Sequence, residues 1–198
     1  MVNKSIIFFL GLCPIIPIIA HFAEGILFVA EFWFLFAVGI ASTMLINYFK
    51  IEKLSHIVLY LHIILAAALY AQIVGVMFPV IAIGIERYLY IAAFSYILSI
   101  SLGMYTSNRY PFEIPILYSI LVAAISILRE LAVFGTISLP ARSGLFSITL
   151  IPFSLPLKFW GSNAGTLMML GVALWLFRSV HKGELLPFQT DEASRTRQ

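Results

Sequence analysis

The chain has 198 residues, of which 62% are hydrophobic and only 11% charged, with a formal net charge of +3. Soluble domains carry about 45–50% apolar and ~25% charged residues, so a soluble globular enzyme and a disordered chain are both excluded. The charge is too small and too scattered for a nucleic-acid binder, and a single cysteine forms no disulfide within the chain.

Long uncharged runs define the candidate membrane spans, since a bilayer core takes ~20 apolar residues as helix. Ser5–Ala23 is free of Lys, Arg, Asp and Glu, and Gly25–Phe49 holds one charge, Glu31. Leu54–Ile85 and Tyr88–Asn108 flank the pair Glu86–Arg87, and Ile114–Leu128 and Gly161–Phe177 follow. The expected architecture is an all-α integral membrane domain over residues 1–182. Its six transmembrane helices fall at about 5–22, 26–48, 55–75, 78–104, 113–132 and 162–179. The first run has the apolar core of a signal peptide. No small-residue cleavage site follows it, and Pro14 and Pro17 interrupt it, so it counts as a span. Segment 137–161 is apolar and holds three prolines; it is expected on the extracytoplasmic interface or dipping into the protein. The polar tail 183–198 is expected to be disordered and cytoplasmic.

Basic residues set the orientation. With both termini cytoplasmic, the inside segments hold Lys4, Lys50, Lys53, Arg109, Arg178, Lys182, Arg195 and Arg197. The outside then holds Arg142 and Lys158, with Arg129 near a span end. This is a positive-inside bias for a multi-pass protein of a bacterial plasma (inner) membrane.

Two segments interrupt their own helices: Phe9–Ala20, with Gly11, Cys13, Pro14 and Pro17, and Gly75–Arg87, with Gly75, Pro79 and Gly84. Broken backbone in hydrocarbon is tolerated where protein or a cavity satisfies it. The two breaks fall in spans 1 and 4, which is the pattern of two inverted three-helix repeats with broken helices 1 and 4.

Cys13 is the one thiol. A lone buried cysteine is by default a small hydrophobe, but at a helix break the free N–H groups near Gly11, Leu12 and Pro14 favour a thiolate. The four histidines show no metal-ligand spacing, and no nucleotide or hydrolase fingerprint is present. Ionisable residues at membrane depth are functional candidates, here Glu31, Glu86 and Arg87 as an ion path. The competing reading places Glu24, Glu31, Glu86–Arg87 and Arg129–Glu130 close to interfaces, where long side chains reach water.

Phe9-Leu-Gly-Leu-Cys-Pro14, the element Gly75-Val-Met-Phe-Pro79, and Leu128-Arg-Glu130 followed by Gly135-Thr136 stand in this order along the chain. Together they resemble the small six-span membrane subunits of the Rnf and Na+-translocating NADH:quinone (Nqr) oxidoreductases, the RnfE/NqrD branch in particular. The resemblance implies a membrane subunit of an ion-translocating redox complex, paired as a heterodimer with a sister six-span subunit (RnfA/NqrE-like). It implies electron transport across the membrane through a 2Fe-2S iron-sulfur cluster shared between the two. Cys13 matches the first cluster ligand. The second ligand position falls on Ile85, or on Ala82 in another register, and neither has a thiol. Glu86 is the alternative metal ligand on this chain. A secondary transporter with inverted repeats and a non-redox scaffold subunit are the other two expectations.

Overall fold

The computed structural model describes residues 19–50, 54–101, 112–150 and 158–180. Five helices carry the fold: α1 (Phe22–Phe49), α2 (Ser55–Met77), α3 (Pro79–Ser101), α4 (Glu113–Phe134) and α5 (Asn163–Val180). Between α4 and α5 lie two antiparallel strands, β1 (Thr136–Ala141) and β2 (Gly144–Thr149), and a short 3-10 turn at Lys158–Gly161. Three helices are long and apolar enough to cross a membrane: α1, α2 and residues 79–98 of α3. At 1.5 Å per residue each covers or exceeds the ~30 Å hydrocarbon core. This is consistent with a membrane protein.

The helices alternate in direction. The hairpin touches the start of α1, where the Ala23 N–H donates to Ser138 Oγ, and the start of α3, where Gly144 lies beside Val80. It also meets the end of α4, because Gly135 links the two directly. Thus α1 and α3 run away from the hairpin, while α2 and α4 run toward it. Arg129 near the end of α4 reaches Gly161, so α5 also starts at that end.

α1 is the central helix and packs against α2, α3 and α4. Its buried face is correspondingly wide, from Ala23, Leu27 and Phe28 through Glu31, Phe32, Leu35 and Phe36 to Gly39 and Ile46. α2 and α3 meet through narrower stripes at helical spacing: Ile63, Ala67, Tyr70 and Val74 on one, Ile81, Ile85, Leu89, Ala92 and Tyr96 on the other. Alanines recur there (Ala66, Ala71, Ala82, Ala93) and let the backbones approach closely. Tyr70 also ties α2 to α1, its hydroxyl donating to the Leu27 carbonyl at 2.8 Å. The Trp33 indole N–H donates to Ser119 on α4 at 2.9 Å.

The expected interruption of the fourth span is corrected. Gly75 and Gly84 lie inside regular helices, and only Phe78, between α2 and α3, is non-helical. Its N–H still closes onto the Val74 carbonyl, and Pro79 occupies the first position of α3, where a missing N–H costs nothing. The Gly75–Pro79 element is therefore the reversal of a helical hairpin. The first span, and with it the expected break at Gly11–Pro14, lies outside the described residues, as does the tail 183–198.

The all-α expectation is corrected in one respect, at segment 137–161. Its first half is the β-hairpin, turning at Arg142–Ser143, and Gly144 takes a positive φ of 126° at the return. Gly135 ends α4 in the left-handed conformation, with its N–H on the Leu131 carbonyl, and its own carbonyl accepts from Leu150 to close the open end of the ladder. Ser162 caps α5, accepting from the Gly165 N–H at 3.1 Å.

A side chain at Gly165 would meet backbone: a Cβ there lies 2.2 Å from the Phe159 carbonyl oxygen and 2.8 Å from the Trp160 Cα. Gly165→Ala is expected to destabilise the protein by about 1–3 kcal/mol, as overpacking does. Gly171→Ala, which meets open space, is expected to stay within about 0.5 kcal/mol. Thermal unfolding of the two variants in one detergent measures the difference.

Candidate functional site

Two buried polar centres sit in an otherwise apolar bundle. The first lies where the helix ends meet the hairpin. Arg129 and Glu130 occupy the last turns of α4, and both are buried, Glu130 completely. The Glu130 carboxylate accepts the Phe22 N–H at 2.6 Å, the Ser138 hydroxyl at 2.9 Å and the Thr136 hydroxyl at 3.2 Å. Phe22 opens α1, where the free N–H groups and the helix dipole favour a negative charge. Glu24 works on the same turn, accepting the Ala20 N–H at 2.6 Å and the His21 N–H at 3.2 Å. Arg129 donates to the Ile19 carbonyl just before α1 and to the Gly161 carbonyl, at 2.6 Å, just before α5. Adjacent residues on one helix thus point to opposite partners, and the pair fastens α1, α4, α5 and β1 together. His21 stacks on Phe134 and holds its Nδ1 3.7 Å from Glu130, outside hydrogen-bond reach.

The second centre is Glu31. It lies nine residues beyond Phe22, about 14 Å along α1, well inside the span rather than at its rim. Its exposure is 0%, and neither carboxylate oxygen has a hydrogen-bond partner. The Tyr118 hydroxyl of α4 is likewise buried without a partner. Tyr118 stacks on Phe32, the next residue of α1, at 4.1 Å between ring centroids. Tyr70 reaches the Leu27 carbonyl one helical turn before Glu31.

Glu86 and Arg87 are not gathered with Glu31. Glu86 and Arg87 are exposed on the outer face of α3, whereas Ile85 and Ala82 face the core. Glu86 therefore does not stand on the inner face that carries the second ligand position. Cys13, Gly11, Leu12 and Pro14 lie outside the described residues. Among the described residues, no three of His, Cys, Asp and Glu are grouped to hold a metal ion.

Sequence reasoning found Arg129, Glu130 and Glu31 but set the interfacial reading beside each. It named Thr136 only within the Gly135-Thr136 element and missed Ser138, Tyr70 and Tyr118. A signal existed for the buried placement of Arg129 and Glu130: two adjacent opposite charges project from a helix at different angles and cannot both reach the same interface. For the tyrosines no signal existed, because their hydroxyls look like ordinary interfacial residues until the helices are packed.

Fold and site together define a helical bundle, three of whose helices are long and apolar enough to cross a membrane, stapled at one end by a buried ion-and-amide network. An uncharacterized protein of Treponema pallidum (strain Nichols) is 32% identical over 177 residues, covering 89% of this chain and 90% of that protein. The chain belongs to the same family as that protein. No family model matches the sequence, and no solved structure matches it.

Removing the Glu130 carboxylate leaves the Phe22 N–H and the Ser138 hydroxyl without their acceptor, at about 1–3 kcal/mol for each buried orphan. Glu130→Ala is expected to lower thermal stability by that order and to speed amide hydrogen exchange at the first turn of α1. Glu130→Gln, which keeps an acceptor, is expected to lose less than half as much.

Proposed function

We propose that the protein is a membrane subunit of an ion-translocating redox complex of Rnf/Nqr type, working beside a sister six-span subunit. The observation that carries this reading is the outer face of α3. Glu86 and Arg87 are exposed there, seven and eight residues into a membrane-spanning helix, about 10–12 Å along it. Charges at such depth face protein or a water-filled path rather than lipid. A neighbouring subunit against α3 supplies that protein. The two elements nearest this chain's resemblance to the family also have defined places in the fold. Gly75–Pro79 makes the α2–α3 reversal, and Leu128–Thr136 contains the Arg129–Glu130 staple.

In this proposal the chain has six spans. The first is supplied by residues 5–22, and α4 and α5 act as the fifth and sixth. An inverted relation between two consecutive three-span halves is part of this reading. The positive-inside bias places both termini in the cytoplasm of a bacterial plasma membrane. Of the residues considered as ligands, Cys13 alone offers the thiolate that an iron-sulfur centre takes, so a shared 2Fe-2S cluster would draw its other ligands from the partner. Glu31, Glu86 and Arg87 are the ion-path residues of this reading. A secondary transporter is the second reading, favoured by the partnerless carboxylate of Glu31 inside the bundle.

The test uses the intact complex isolated without air. Cys13→Ser is expected to abolish or shift an iron-sulfur EPR signal while the complex still assembles. An unchanged signal with full iron and sulfide content removes Cys13 as a ligand. A colourless protein that moves solute alone in liposomes supports the transporter.

A further inference from the structure

Glu31 stands apart from every other buried charge in the fold. Glu130 accepts from three donors and Arg129 donates to the carbonyls of Ile19 and Gly161, whereas Glu31 has no partner, although it is fully enclosed. An isolated carboxylate in such a place costs several kcal/mol even after relaxation, and a buried charge persists only when paired. Among the described residues no cation pairs with it. Two phenols lie against the same stretch of α1: Tyr70 from α2, whose hydroxyl donates to the Leu27 carbonyl one turn before Glu31, and Tyr118 from α4, stacked on the adjacent Phe32 with its buried hydroxyl unpartnered. From α3, Tyr96 packs edge-on against the neighbouring Phe32. On α1 itself the nearest charge is Glu24, two turns toward the hairpin, already engaged by Ala20 and His21.

We propose that Glu31 is an intramembrane proton-binding site, lodged between α1, α2 and α4 and reversibly protonated during the protein's work. One carboxylate and one free hydroxyl are far fewer oxygens than the six to eight that a hard metal cation such as calcium takes. A proton needs only one. The step is simple: an O–H bond forms on a Glu31 carboxylate oxygen, the charge is neutralised, and release restores both. In the neutral acid the new O–H is a donor, and the free Tyr118 oxygen is the acceptor available on α4. This inference does not depend on the redox reading, because it follows from packing alone and holds equally for a transporter.

Infrared difference spectroscopy of the full chain in lipid, titrated with pH, tests it. The expected result is a carbonyl stretch of a protonated carboxyl that moves in heavy water, gives way to carboxylate bands as pH rises, and is missing in Glu31→Gln. Should that variant fail to assemble, Glu31→Asp keeps a carboxyl and is expected to displace the same band. A band that persists at every pH the fold tolerates would mark a permanently neutral packing residue and overturn the proposal. A site that stays ionised throughout, or one whose protonated band is lost on adding Na+ at fixed pH, would overturn it in favour of a metal cation. The experiment needs no iron and no partner, so its failure and that of the redox reading are separable.

Discussion

The buried pair Arg129–Glu130 holds the described fold together. Helices in lipid gain little from the hydrophobic effect between themselves, so polar contacts and close packing carry more of the burden of specificity. Here one carboxylate satisfies the first free amide of α1 and two hairpin hydroxyls, while the neighbouring guanidinium takes carbonyls from the segments leading into α1 and α5. Truncating either side chain strands groups on the other elements. The hairpin, short and with exposed Phe146 and Ile148, would be marginal by itself; its Ser138 and Thr136 anchor it to the same carboxylate.

From this fixed end the rest of the bundle follows by packing. α1 descends through the middle and is covered on three sides, which explains why its sequence shows apolar residues all round rather than on one stripe. The same enclosure gives Glu31 its character. On an edge helix a carboxylate at that depth could reach a headgroup or a partner. On the central helix it is fully buried without a hydrogen-bond partner. Glu86 and Arg87, at comparable depth on α3, face outward instead. The two kinds of ionisable residue therefore have opposite surroundings, one enclosed by this chain and one on its outer face.

Much of the architecture was legible from the uncharged runs. The expected spans 26–48, 55–75, 113–132 and 162–179 lie within or close to α1, α2, α4 and α5, because length and apolar content alone settle where helix fits a bilayer. α1 begins earlier than expected, at Phe22, since Glu24 is a first-turn acceptor there and not a boundary charge. Gly75–Pro79 was expected to break a helix and in fact reverses the chain between two helices. Glycine and proline mark a departure from helix, but whether the chain bends, breaks or turns back depends on the φ and ψ of Phe78 and on what the next helix can pack against. The hairpin went unseen although Thr136-Ile-Ser-Leu139 alternates polar and apolar, because the run is short and Pro140 falls within it.

The amino-acid sequence by itself determined the class of molecule, the number and place of its apolar helices in the described region, and the short list of charges that needed explaining. It could do so because burial in lipid depends on composition over about twenty residues, which is local information. The tertiary structure alone decided what each of those charges does. Arg129 and Glu130 became a staple, Glu31 an isolated carboxyl and Glu86 an outward-facing one, because the partner of a buried charge is chosen by helices and turns as much as 110 residues away.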